Sequence, residues 1–199
     1  VKNTGLHNQA EHSTRTNQYI DATRTWLEKA VIGLNLCPFA KAVHVKNQIR
    51  YVVSEAQSTE ELQADLASEL KLLDAADPEE IETTLVIHPH VLNDFLDYNE
   101  FLDIADAKVE ELGLEGRIQV ASFHPDYQFA DSQPDDIENY TNRSPYPTLH
   151  LLREESVERA VEAFPDAADI FDKNTEVMRR LGHEGWHKLG LELRGNDQQ

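Results

Sequence analysis

The run Thr83–Ile87 (TTLVI) constrains the fold more than any other segment of the chain. It carries no charge and no polar–apolar alternation. A strand of this kind is apolar on both faces and must lie inside a sheet that is covered above and below. The flanking sequence supplies the cover. Upstream, Ser58-Thr59-Glu60-Glu61 is a capping box, in which Ser58 accepts a backbone N–H while Glu61 reaches back. Leu62, Leu66, Leu70 and Leu73 then share one helical face until Asp77-Pro78 stops the period. Downstream, Leu92, Phe95, Leu96, Leu102, Ala105, Val109 and Leu112 mark a long helix with Gly113 as its stop.

Three further runs read as strands: residues 49–54, 118–123 and 148–152. Strand–helix–strand repeats form right-handed crossovers, so the first three strands should run in parallel. The long segment before the fourth allows that strand to reverse. A first helix starts at Tyr19 and carries Thr23, Trp26, Leu27, Ala30, Val31 and Leu34 on one broad face, bracketed by Gly33 and Pro38. Val157, Ala160, Val161 and Phe164 make a short helix ended by Pro165. The last helix carries Ile170, Phe171, Val177, Met178 and Leu181, is capped by Asp166 or Asp169, and closes at Gly182. The predicted fold is α/β: a single-domain sandwich with a four-stranded, mostly parallel mixed sheet covered by helices. The domain spans residues 17–182. Residues 1–16 are expected to be a disordered polar tail, and residues 183–199 a loosely attached one in which Trp186 and Leu189 could dock.

The formal charge is −19, from 18 Lys and Arg against 37 Asp and Glu. Such a field repels nucleic acid and anionic membranes, and no basic run exceeds Arg179-Arg180. The single cysteine, Cys37, excludes an internal disulfide framework and a Cys-rich zinc site. No apolar run approaches the length of a membrane span and no apolar leader opens the chain, so a cytoplasmic location is expected. Neither a Gly-rich phosphate loop nor a G-x-S-x-G elbow is present, which removes support for the usual nucleotide cofactors.

The segment from 123 to 153 holds the densest set of reactive side chains, is stiffened by four prolines and lacks glycine. It joins two strand-like runs, which places it at a sheet edge, where α/β proteins bind ligands. Two strand ends echo each other, His88-Pro89-His90 and His124-Pro125-Asp126. Extended backbone would put His88 and His90 on one side, and likewise His124 with Asp126. If these four met they could hold one divalent ion, Zn, Mn or Fe, with a position left for water. His150 would join them if its strand lies alongside. The alternative is that each histidine is a hydrogen-bonded structural residue.

In the same loop Asp131 and Asp136 are candidate general bases, with Asp135 and Glu138 nearby. A solvated acidic loop is the plainer reading. Arg143 beside Tyr140 and Tyr146, together with Arg153, can grip an anionic small molecule or clamp the loop internally. Cys37 precedes Pro38, which suits the first turn of a helix. A thiol at that N-cap would be a nucleophile candidate, and a small buried apolar residue is the alternative.

Two blocks, LNLCPFAK (residues 34–41) after Trp26-Leu27-Glu28, and FHPDYQFAD with NYTNRSPYPTLHLLRE (residues 123–154), resemble a bacterial family known only as a domain of unknown function. The resemblance covers residues 17–182 and implies a cytosolic single-domain protein without assigning an activity. The Tyr146-Pro147-Thr148 turn is also similar to the cis-proline turn of the thioredoxin fold, but there is no Cys-x-x-Cys. The expectation from sequence is a small-molecule enzyme, a metal-assisted hydrolase acting on an anionic substrate under the 123–147 loop. The alternatives are a non-catalytic anion- or peptide-binding module and a thiol enzyme using Cys37.

Overall fold

The computed structural model describes residues 4–163 and 169–191, with side chains from residue 13 onward. Four strands form one sheet: β1 (Ile49–Val53), β2 (Thr83–Ile87), β3 (Ile118–Phe123) and β4 (Thr148–Arg153), in the order β1-β2-β4-β3. β1 and β2 are parallel, and β4 is antiparallel to both β2 and β3. The first three strands therefore point the same way, as their crossovers require. The last strand is inserted between the second and third, so only one of the pairings is parallel. All five residues of β2 are buried, as its composition demands.

One face of the sheet is sealed. α3 (Thr59–Ala75) and α4 (Phe95–Glu111) lay Leu62, Leu66, Leu70, Phe101 and Ala105 onto Val86, Leu149 and Leu151. Local chemistry fixes where these helices begin. Ser58 Oγ accepts from the Glu61 amide at 3.2 Å, while the Glu61 carboxylate takes the Gln57 amide at 2.8 Å, one residue earlier than a standard capping box. Asp94 caps α4 through the amides of Leu96 and Asp97. Leu92, expected in that helix, lies outside it at φ 57°.

The other face is covered by α1 (Thr4–Trp26), its π-helical continuation (Leu27–Ile32) and α6 (Ile170–Lys188). Here Trp26, Leu27, Ala30, Val31, Met178 and Trp186 form a second core against Tyr51 and Phe123. α1 begins at Thr4, well before the apolar period at Tyr19. The π-helical segment ends at Gly33, where a Cβ would stand 2.3 Å from the Lys29 carbonyl oxygen, so only glycine fits. Gly182, at φ 63° and ψ 173°, breaks α6 without ending it. Beyond that break Trp186 is 2% exposed, so the part of the expected loose tail up to residue 191 is docked. Asp166, one of the two suggested caps of the last helix, lies outside the described residues; Asp169 precedes the helix without a side-chain cap bond.

Two short helices complete the fold. α2 (Ala40–Val45) follows Pro38, and α5 (Glu154–Ala163) follows β4 directly. No residue of α5 is buried; its Val157 and Ala160 are half-buried. The peptide bond before Pro147 is trans.

Candidate functional site

The carboxyl ends of β2 and β3 place His88 and His124 on the same edge of the sheet, one on each side of the start of β4. Both are fully buried. Pro89 and Pro125 turn the chain at once, so the extended geometry that would align each pair ends with the strand. His88 Nδ1 donates to the Val91 carbonyl at 3.1 Å. His124 Nδ1 accepts the Asp126 amide at 3.0 Å, which assigns its proton to Nε2, and Nε2 donates to the Leu92 carbonyl at 3.1 Å. The Tyr98 ring lies beside both, with centroids 5.7 Å from His88 and 5.0 Å from His124. Its hydroxyl donates to the Thr148 carbonyl.

The two imidazoles thus pin the 88–92 turn to the sheet. Burial pulls the His88 pKa down from its ordinary 6.5 to about 4, with a smaller contribution from neighbouring His124. His90 points elsewhere: it is exposed, 3.6 Å from Glu55, and packs edge-on against Tyr19. Asp126 is exposed. The four predicted metal ligands are not brought together, and among the described residues no group of three or more His, Cys, Asp or Glu side chains is placed to hold an ion.

Asn139, Arg143 and Asp136 of the 123–147 loop are spent on the loop itself, while Glu138 pairs with Arg179 of α6. Buried Asn139 accepts from the Phe129 amide and the Ser132 hydroxyl and donates to the Gln133 carbonyl. Arg143 donates through Nε to Tyr127 O at 3.1 Å and through Nη2 to Pro134 O at 2.6 Å, and lies over the Tyr140 ring. It clamps the loop internally, with backbone carbonyls as its partners. Asp136 accepts the Gln133 amide, and Asp131 and Asp135 are exposed. Tyr140 packs on His183 and Trp186, and Tyr146 on Tyr19.

Arg153 lies at the far end of β4. Its Nη2 donates to the carbonyls of Leu73, Ala76 and Ile81 and so caps the end of α3. Arg50, the other strand arginine, is paired with Glu69 at 2.7 and 3.0 Å.

The largely apolar opening in the fold lies on the less covered sheet face, away from the loop edge. Ile49, Thr83, Leu85, Ala121, His150 and Leu152 form its floor. Trp26 and Val31, the 37–43 segment, and Val157 and Ala160 of α5 form its walls. The cavity measures about 600 Å³, within the range of small-molecule sites. An adjoining cavity of about 700 Å³ shares Arg153 and Arg159 but is lined mostly by charged groups. Those are largely matched to one another: Arg117 with Asp74, and Arg159 with Glu82 at 3.7 Å and Glu155 at 2.5 Å.

Cys37 and His150 line the cleft along with Glu82, Thr83, Gln119, Arg153, Ser156 and Arg159. Cys37 precedes the turn into α2; the Phe39 and Ala40 amides favour its thiolate, yet burial dominates and pushes the thiol pKa up. It is a protonated thiol at neutral pH. His150 pairs through Nε2 with Thr83 Oγ1 at 2.8 Å, and burial lowers its pKa to about 4.

Sequence reasoning noted His150 but tied it to the other edge, and passed over Thr83, Leu85 and Val157. The available signal was alternation. Thr148, His150 and Leu152 share one face of β4, and Thr83, Leu85 and Ile87 the matching face of β2.

Among the described residues no helix is long and apolar enough to cross a membrane. The family described as Protein of unknown function (DUF1415) matches residues 18–188. No curated protein and no solved structure matches the chain.

Proposed function

The chain belongs to the DUF1415 family, and from its geometry we propose that it binds a small, largely apolar molecule in the cleft between the sheet, α2 and α5. One observation carries this reading. The sheet is sealed by leucines on one face, while on the other a cavity of about 600 Å³ is lined by aliphatic and aromatic side chains around His150. A protein that gains stability by burying apolar surface leaves such a gap at a cost of lost packing contacts, and a ligand restores them. α5 supports the reading, because its Val157 and Ala160 face the cleft without being fully buried. The reactive-looking loop then serves as scaffolding for the opposite edge.

Titration of naphthalene into uniformly ¹⁵N-labelled protein tests this. The amide signals of Leu85, Ala121, His150 and Val157 should move, while those of Leu66 and Phe101 behind the sheet stay put. Ala121→Leu, which fills the floor beside His150, should weaken the effect. Shifts confined to the 123–147 loop, or none at saturating naphthalene, would overturn the assignment.

A further inference from the structure

The hydrogen-bond order around His150 specifies what its cleft accepts. Thr83 Oγ1 lies 2.6 Å from the Leu151 carbonyl oxygen, which can only accept, so the single hydroxyl proton is committed there. Toward His150 Nε2, at 2.8 Å, the same oxygen can then offer only a lone pair. Nε2 must therefore carry the proton. A neutral imidazole has one N–H, which leaves Nδ1 bare. The ring is neutral at pH 7, since burial holds its pKa near 4.

Nδ1 pairs with no described residue, nor is it one of the sealed polar atoms that lack a partner. The atom is therefore not sealed, and His150 lines the cleft. The Phe123 ring, 5.7 Å away and tilted 32°, supports the plane of the imidazole. Of the rim arginines, Arg159 is paired with Glu82 and Glu155, while Arg153 gives Nη2 to three backbone carbonyls and keeps its charge.

We infer that the cleft selects an uncharged, largely apolar molecule carrying a hydrogen-bond donor, a hydroxyl or N–H, and that Nδ1 of His150 receives that donor. This rests on the cleft being a ligand site and adds the chemical class. A carboxylate of similar shape is excluded at this position, because it would give up hydration only to set acceptor against acceptor at Nδ1. An ether of the same shape fits but leaves Nδ1 unsatisfied.

The experiment is equilibrium dialysis of the full chain at pH 7 against 2-naphthol, 2-methoxynaphthalene, naphthalene and 2-naphthoate. The naphthol should bind about five- to tenfold more tightly than its methyl ether, the worth of one satisfied neutral acceptor, with the naphthoate weakest. His150→Phe should make the naphthol and the ether equal while naphthalene still binds. Equal affinity of naphthol and ether for the native protein would overturn the donor assignment and leave the cleft reading standing. Failure of every naphthalene compound to bind would overturn the cleft reading itself. A readout independent of any variant is the ¹⁵N spectrum of histidine-labelled protein. It should show His150 protonated on Nε2 and bare on Nδ1, with Nδ1 shifting when 2-naphthol is added; a proton on Nδ1 in the free protein would refute the inference.

Discussion

Acidification should destabilise this protein through His88 in a way that can be isolated. Unfolded, the ring takes a proton at about 6.5; folded, burial delays that to about 4. Between those values the unfolded chain binds more protons than the folded one, so stability is full above the unfolded pKa and falls as pH drops toward the folded one. The whole shift corresponds to about 3 kcal/mol, of which about 2 kcal/mol is lost between pH 7 and pH 5. That is a large part of the 5–15 kcal/mol typical of a domain. His150 acts in the same direction, but the cleft admits water to its ring and reduces its share, so the test is built on His88. Urea denaturation of the native chain and of His88→Gln at pH 7, 6 and 5 measures the effect. The variant will be less stable at pH 7, because a Val91 carbonyl loses its donor. Its loss between pH 7 and 5 should nonetheless be smaller by about 2 kcal/mol, since contributions from surface carboxylates are common to both proteins and cancel. Identical pH dependence in the two, or a His88 resonance titrating near 6.5 in the folded state, would refute the reasoning.

Two further outcomes are expected. Arg153→Ala should cost about 3 kcal/mol and lower Tm by roughly 6–12 °C in a thermal melt, because two carbonyls at the end of α3 and that of Ile81 beyond it lose a charged donor; an unchanged Tm would mean that the guanidinium is free for another task. Alkylation of Cys37 by iodoacetamide should be slower than that of a free thiol from pH 7 to 9, and slower again with 2-naphthol bound. A rate above that of the free thiol would restore the nucleophile reading.

Much of the architecture was legible because its determinants are local. The strand runs were placed within a residue at each end, and Ser58, Asp77-Pro78 and Gly113 bounded their helices where capping and turn chemistry required. The insertion of β4 was not legible, since pairing depends on which open edge a reversing strand meets. The partners of the reactive residues were not legible for a related reason. Composition shows that Asn139, Arg143 and the loop aspartates are near one another, but not that backbone amides and carbonyls of the same loop take up Asn139, Arg143 and Asp136. Arg153 finds its partners more than 70 residues away. The cleft has no motif because it is a gap between elements. Its floor is written only in the alternation of β2 and β4, and its size depends on where α2 and α5 come to rest.

The place of β4 also sets an order of events during synthesis. Chain emerging from a ribosome can pair β1 with β2 once residue 87 is out, but β3 has no neighbour until residues 148–153 appear. For those intervening residues the open side of β2 and both sides of β3 are unpaired edges, the kind that captures other chains. The final strand closes the open side of β2 and one side of β3 at once, so a product that stops short of Thr148 is left with its sheet in two unpaired parts rather than as a smaller version of the same protein.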